Sequence, residues 1–141
     1  MITVKELISK YPNIFQNYVG NPGQVNWLDL PDGWTQNLDW MCGAIQNYVD
    51  CNIQYINGEK KVPVQPTCTQ MKEKFGGLRF YTNQADDTVE GMISMTEHMC
   101  NNTCQMCGSH ENLGVTAGCV SVLCVNCKTD NMLWKARNTE K

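Results

Sequence analysis

Two Cys-x-x-Cys pairs, Cys104-Gln105-Met106-Cys107 and Cys124-Val125-Asn126-Cys127, are separated by sixteen residues. Two residues between thiolates let one tight turn aim both sulfurs at a single ion, and Gly108 lets the backbone fold back beneath the first pair. Two such turns complete a tetrahedral four-sulfur site, the geometry that Zn²⁺ accepts without redox chemistry. The segment 100–128 is therefore read as a zinc-binding sub-structure, a zinc-ribbon-like knuckle with Leu113-Gly114-Val115 and Val120-Ser121-Val122-Leu123 as its short strands. Four protein ligands leave no position for substrate or activated water, so the expected role of the zinc is structural. A thioredoxin-like dithiol needs a single pair at a strand-to-helix junction, which two pairs argue against. Four thiolates could also hold one iron, as in rubredoxin-like knuckles, although only the first pair is followed by glycine. The ligand set stays open at three points: His110 could replace a thiolate, and Cys100 or Cys119 is near enough to compete.

The chain holds nine cysteines, six of them between residues 100 and 127. The odd count, with no apolar leader and cleavage site in Met1-Ile2-Thr3-Val4-Lys5-Glu6, favours reduced thiols and a cytoplasmic protein over a disulfide scaffold. No apolar run approaches ~18 residues, so no membrane span is expected. At 141 residues the chain suits one domain, 1–141, with a core that needs no disulfide framework. Net charge of −3 argues against a surface that tracks nucleic acid throughout. Inside that acidic average, Lys60, Lys61, Lys72, Lys74 and Arg79 face only Glu73 across residues 60–79.

Periodicity and caps predict an α+β fold: N-terminal helices, a β-hairpin, a further helix and the knuckle. Thr3 and Glu6 form a capping box, and Leu7, Ile8 and Tyr11 continue an apolar face until Pro12. A loop follows around Asn21-Pro22-Gly23. Trp34, Leu38, Met41, Ile45, Val49, Ile53 and Ile56 then recur at helical spacing, with Asp32 as cap and Gly58 as stop. Pro63 and Pro66 mark an extended approach to a strand over 67–71, and Gly76-Gly77 is read as the turn into Leu78-Arg79-Phe80-Tyr81. A last helix runs from Asp87 to Asn101, with Asp87 and Glu90 as a second capping pair and Val89, Met92, Ile93, Thr96 and Met99/Cys100 on one face.

No active site is visible. His98 lacks a second histidine four residues away, and a deaminase reading fails because Cys100 stands where a catalytic Glu belongs. Lys72, Lys74 and Gly76-Gly77 lack the Walker spacing, and no Ser/His/Asp order appears. Asp86 and Asp87 are better read as helix caps than as cation ligands. The hairpin is the best candidate binding surface: Lys72, Lys74 and Arg79 are interleaved with Phe75, Phe80 and Tyr81, the mixture that single-stranded nucleic acid would take. Simple alternation of buried and wet positions accounts for the same pattern.

The run Gln70-Met71-Lys72-Glu73-Lys74-Phe75-Gly76-Gly77-Leu78-Arg79-Phe80-Tyr81 resembles the signature of small phage and bacterial proteins of unassigned function. Asp32-Gly33-Trp34, Asp86-Asp87 and Cys104 to Cys127 follow the same order over about residues 32–128. The resemblance implies a phage or prophage origin and a zinc site, and supplies no activity. The resulting expectation is a non-catalytic zinc protein, a phage factor that binds a host protein of defence or transcription. The alternative is a nucleic-acid-binding zinc ribbon using Lys60, Lys61, Lys72, Lys74 and Arg79 with Lys128, Lys135 and Arg137.

Overall fold

The computed structural model describes residues 1–19, 30–129 and 133–137, so the expected loop at Asn21-Pro22-Gly23 lies outside the described residues. The chain is α+β. Helix α1 (Val4–Lys10) opens on the expected box: Thr3 Oγ1 accepts the Glu6 N–H, and the Glu6 carboxylate accepts the Thr3 N–H. Leu7 and Ile8 are buried, and past Pro12 the chain makes a short turn of helix, α2 (Gln16–Val19), with Ile14 and Phe15 driven into the core just before it.

The next helix differs from expectation at both ends. Asp32–Trp34 form a 3-10 turn, and helix α3 (Thr35–Cys51) continues from it with no side-chain cap at either entry. The local brace is the Thr35 hydroxyl donating to the Asp32 carbonyl at 2.8 Å. At the other end the helical spacing of Ile53 and Ile56 has no core behind it; both are exposed. Helix formation stops at Cys51, and β1 (Gln54–Ile56) pairs with β2 (Glu59–Lys61) instead. Asn57 at φ 53° and Gly58 at φ 79° make the turn, because an Asn-Gly pair at positive φ matches the twist of a two-residue hairpin.

The second hairpin joins β3 (Thr67–Lys74) to β4 (Gly77–Asn83), with a register shift between Cys68 and Gln70. Its turn sits one residue earlier than Gly76-Gly77. Lys74 already pairs with Gly77, so Phe75 (φ 54°) and Gly76 (φ 82°) are the central residues. Left-handed backbone at a residue with a bulky side chain costs about 1 kcal/mol. Phe75→Asn, which tolerates that conformation, is expected to raise stability by about 0.5–1 kcal/mol in urea unfolding.

Helix α4 (Asp87–Asn101) buries Val89, Ile93, Thr96 and Cys100, the predicted face. Its cap is Asp86, which accepts the Val89 N–H at 3.0 Å, one residue before the expected Asp87–Glu90 pair. The main core gathers Val89, Ile93 and Cys100 with Leu7, Phe15, Trp34, Leu38, Met71, Leu78 and Phe80. A second, smaller cluster holds Cys104, Leu113, Val122, Leu123 and Cys124. It belongs to a three-stranded sheet of order β6-β5-β7, built from β5 (Leu113–Thr116), β6 (Val122–Cys124) and β7 (Trp134–Ala136). Strand β7 has no counterpart in the sequence reading; the Trp134 indole N–H donates to the Leu123 carbonyl at 3.0 Å and secures it. No helix among the described residues is long and apolar enough to cross a membrane.

Two carboxylates tie the helices and make stability pH-dependent. Burial works against ionisation of Asp39, but the Tyr11 hydroxyl at 2.6 Å and the Lys10 ammonium at 2.9 Å outweigh it, holding its carboxyl below the usual 3.8. Asp86 is lowered as well, first by the Tyr48 hydroxyl and then by the Val89 N–H. A depressed native pKa gives a contribution that is present above the unfolded value near 3.8 and lost as pH falls through the native one. Urea unfolding between pH 6 and about pH 2 is expected to show that loss. Asp39→Asn should flatten part of it and cost about 0.5 kcal/mol at neutral pH, the scale of an exposed pair.

Candidate metal centre

The knuckle begins where α4 ends. Thr103 folds its hydroxyl back onto the Met99 carbonyl at 2.6 Å, which turns the chain and delivers Cys104 to the edge of the small sheet. The Gly108 N–H reaches the Cys104 carbonyl at 3.0 Å, with Gly108 at φ +80°, and the Cys104 N–H reaches the Ser109 carbonyl at 2.8 Å. The second turn repeats the pattern: the N–H groups of Cys127 and Lys128 both donate to the Cys124 carbonyl at 3.1 Å. Antiparallel pairing of Leu113 with Cys124 then brings the two turns together.

The sulfurs of Cys104, Cys107, Cys124 and Cys127 all lie within 4.8 Å of one another, and these four residues could hold a metal ion. Zn–S bonds of ~2.3 Å would set tetrahedral sulfurs about 3.8 Å apart; Cys107 Sγ and Cys124 Sγ are 3.7 Å apart. The donor set therefore fits a four-thiolate ion. Electrostatics point the same way. Burial works against the Cys104 thiolate, but the N–H groups of Cys107, Cys124 and Met106 prevail and bring its pKa down to about 7. Two of its neighbours shift the other way: burial and then the crowd of neighbouring sulfurs raise Cys127, and Cys107 rises too despite the Ser109 N–H that favours its thiolate. Four thiolates cannot ionise together at this spacing without a cation among them.

The three open ligand choices separate cleanly. Cys100 is buried in the main core with the Asn37 amide on its sulfur at 3.7 Å, and burial pushes its pKa up to about 12. Cys119 is exposed on the turn before β6. His110 places Nδ1 3.1 Å from the Asn102 carbonyl and 3.2 Å from Thr103 Oγ1. None of the three belongs to the cluster of sulfurs.

The knuckle is clasped by the segment leading into α3, a connection that sequence reasoning missed. The Gly33 N–H donates to the Gln105 carbonyl at 2.9 Å, and the Trp34 indole N–H donates to the Thr103 carbonyl at 3.2 Å. Gln105 is itself buried, its N–H on the Val122 carbonyl and its side-chain oxygen accepting the Val122 N–H. Asn37, one helical turn on, donates to Thr103 Oγ1 at 3.0 Å. A polar Asn37 beside Leu38 on the apolar stripe was the available signal: a buried amide there needs a partner.

On the second candidate surface, the register places Lys72 opposite Arg79 and Gln70 opposite Tyr81, alternating with buried Met71, Leu78 and Phe80. Lys72, Lys74, Arg79 and Tyr81 thus share the outer face of the hairpin, with Phe75 exposed at its tip. Of the remaining cations of the basic set, Lys60 and Lys61 lie on β2 and Lys135 on β7, while Lys128 and Arg137 lie outside the strands. Lys61 pairs with Glu59 at 3.1 Å, Lys128 lies over the Trp134 ring at 5.3 Å, and Arg137 donates to the Asn101 carbonyl at 2.6 Å. The chain matches no family model, no curated protein and no solved structure.

Proposed function

We propose that this chain is a non-catalytic binding protein whose four-cysteine cluster carries a structural Zn²⁺. The observation that supports this reading is the convergence of Cys104, Cys107, Cys124 and Cys127 on two paired knuckles, which fills every tetrahedral position with protein. The odd count of nine cysteines favours reduced thiols, and a reducing cytoplasm is the compartment proposed. Zinc here supplies folding energy and leaves function to the surface it supports. The resemblance carried by the hairpin and the Asp-Gly-Trp segment implies a phage or prophage origin, and the partner proposed for a phage-encoded factor is a host protein. Gathering of Lys72, Arg79 and Tyr81 on one face supports a second reading, single-stranded nucleic-acid binding, whose mark is affinity that falls steeply with salt.

Metal analysis of protein purified without added metal is the first test, with one zinc per chain expected; iron in its place, or no metal, overturns the zinc assignment. Affinity capture from a bacterial lysate with and without nuclease then separates the two roles. One protein recovered stoichiometrically after nuclease is expected, whereas nucleic acid whose digestion removes all captured protein reverses the order.

A further inference from the structure

The outer face of the β3–β4 hairpin carries charges that the fold does not need. Lys72 and Arg79 are directly opposed across the two strands, and like charges in that relation destabilise a sheet. No carboxylate answers them: among the described residues the ion pairs are Lys10–Asp39 and Lys61–Glu59. Glu73, the one acid between the two lysines, pairs with Leu78 on the alternate face and accepts the Gly76 N–H at 2.6 Å. The lysines lie over rings instead, Lys72 Nζ 6.0 Å from the Tyr81 centroid and Lys74 Nζ 5.7 Å from that of Phe75. Phe75 is 76% exposed on a left-handed backbone. A cation pair with no carboxylate on it and a strained, exposed ring therefore stand together on the outer face of the hairpin, where the half-buried Arg79 donates one N–H to the Leu78 carbonyl at 3.2 Å.

We infer that this face docks an acidic segment of a protein partner, with carboxylates on Lys72, Lys74 and Arg79 and an apolar side chain against Phe75 and Tyr81. The inference rests on the partner-binding reading above and names what the partner presents. Lys72 and Lys74 are two residues apart on one strand, about 7 Å, and an extended Glu-x-Glu segment repeats at the same step. Arg79 stands across from Lys72 at about 5 Å, so the patch answers two or three negative charges and then ends. Nucleic acid gains affinity phosphate by phosphate along its length. Here a longer polyanion meets a chain of net charge −3, with five acids and no Lys or Arg between residues 80 and 127.

The test uses the full metal-loaded chain and a fluorescein-labelled peptide repeating Glu-Phe-Glu-Thr, read by fluorescence anisotropy at low salt beside labelled oligo(dT). The Glu peptide is expected to bind and oligo(dT) to bind more weakly. Lys72→Glu should weaken peptide binding about tenfold, the loss of one charge-assisted contact. It should also raise Tm by about 1–3 °C, because an opposite-charge pair replaces the opposed cations. Lys74→Glu faces Gly77, and should lose affinity with Tm unchanged. Tighter binding of oligo(dT) than of the peptide overturns the inference in favour of nucleic acid. No peptide binding, or equal binding by wild type and both folded variants, overturns the surface itself. Capture of the same lysate protein equally by wild type and both variants also overturns the surface while leaving the partner-binding role standing. That role fails separately, when wild type captures no protein.

Discussion

Replacing Cys104 or Cys124 with serine, or stripping the metal with a chelator, is expected to melt the C-terminal sheet while the helices and the β3–β4 hairpin keep most of their structure. The reason lies in the unequal sizes of the two cores. Among the described residues, eighteen buried ones make up the main cluster, against five in the cluster around the knuckle, two of which are the cysteines themselves. Leu113, Val122 and Leu123 are too few buried apolar side chains to hold a sheet and two turns by packing alone. Structural zinc contributes on the order of 10 kcal/mol in small modules of this kind, so its loss tips the balance. Both cysteines are buried, which adds the cost of a serine hydroxyl with no ligand to meet. Amide hydrogen exchange checks this. Protection over 104–128 and 133–137 should fall at least about a hundredfold, with far smaller changes in α1, α3 and α4. Unchanged protection in the metal-free protein would mean that the sheet stands on packing alone.

The second large effect is expected at Gly33. A Cβ there would lie 2.3 Å from the Cys104 carbonyl oxygen and 2.5 Å from both the carbonyl carbon and oxygen of Gln105. These are main-chain atoms of the knuckle, held by their own hydrogen bonds, and they cannot step aside as a flexible side chain would. Gly33→Ala must therefore push the Asp32–Trp34 turn off the knuckle. It breaks the Gly33–Gln105 and Trp34–Thr103 hydrogen bonds with it. Overpacking of about 1–3 kcal/mol and two hydrogen bonds at about 1 kcal/mol each give an expected loss of about 3–5 kcal/mol in urea unfolding. Gly91→Ala is the control. It sits in α4 with open space around it, so the same substitution should stabilise by about 0.5–1 kcal/mol through helix propensity. Loss at both positions alike would point to a general cost of replacing glycine and remove the clasp from the account.

Whatever depends on neighbours within a turn or two was legible in the chain. The Thr3–Glu6 box, the apolar face of α4 and the existence of the hairpin all rest on local spacing, and each appears in the structure. The four metal-site cysteines belong in the same class, because a Cys-x-x-Cys turn sets its two sulfurs without help from the rest of the molecule. Errors of one residue came where two local signals competed. Gly76-Gly77 offered two possible turns, and the placement of Phe75–Gly76 follows from Met71, Leu78 and Phe80 all needing the core side of the sheet. The overlong second helix failed for the same kind of reason: Ile53 and Ile56 keep the helical period but have no surface to bury against, and Asn57-Gly58 takes over.

By itself, then, the sequence determined the ligand type, the paired knuckles and the α+β class, since each follows from covalent spacing and the backbone's few allowed conformations. Only the tertiary structure decided which cysteines converge and which serve as core filler. It alone joined Trp34 to Thr103 across 69 residues, placed β7 beside β5, and set Lys72 against Arg79 on an open face. Those outcomes depend on which distant surfaces meet. Such meetings are chosen by the summed packing of the whole chain, to which no short stretch of residues holds the key.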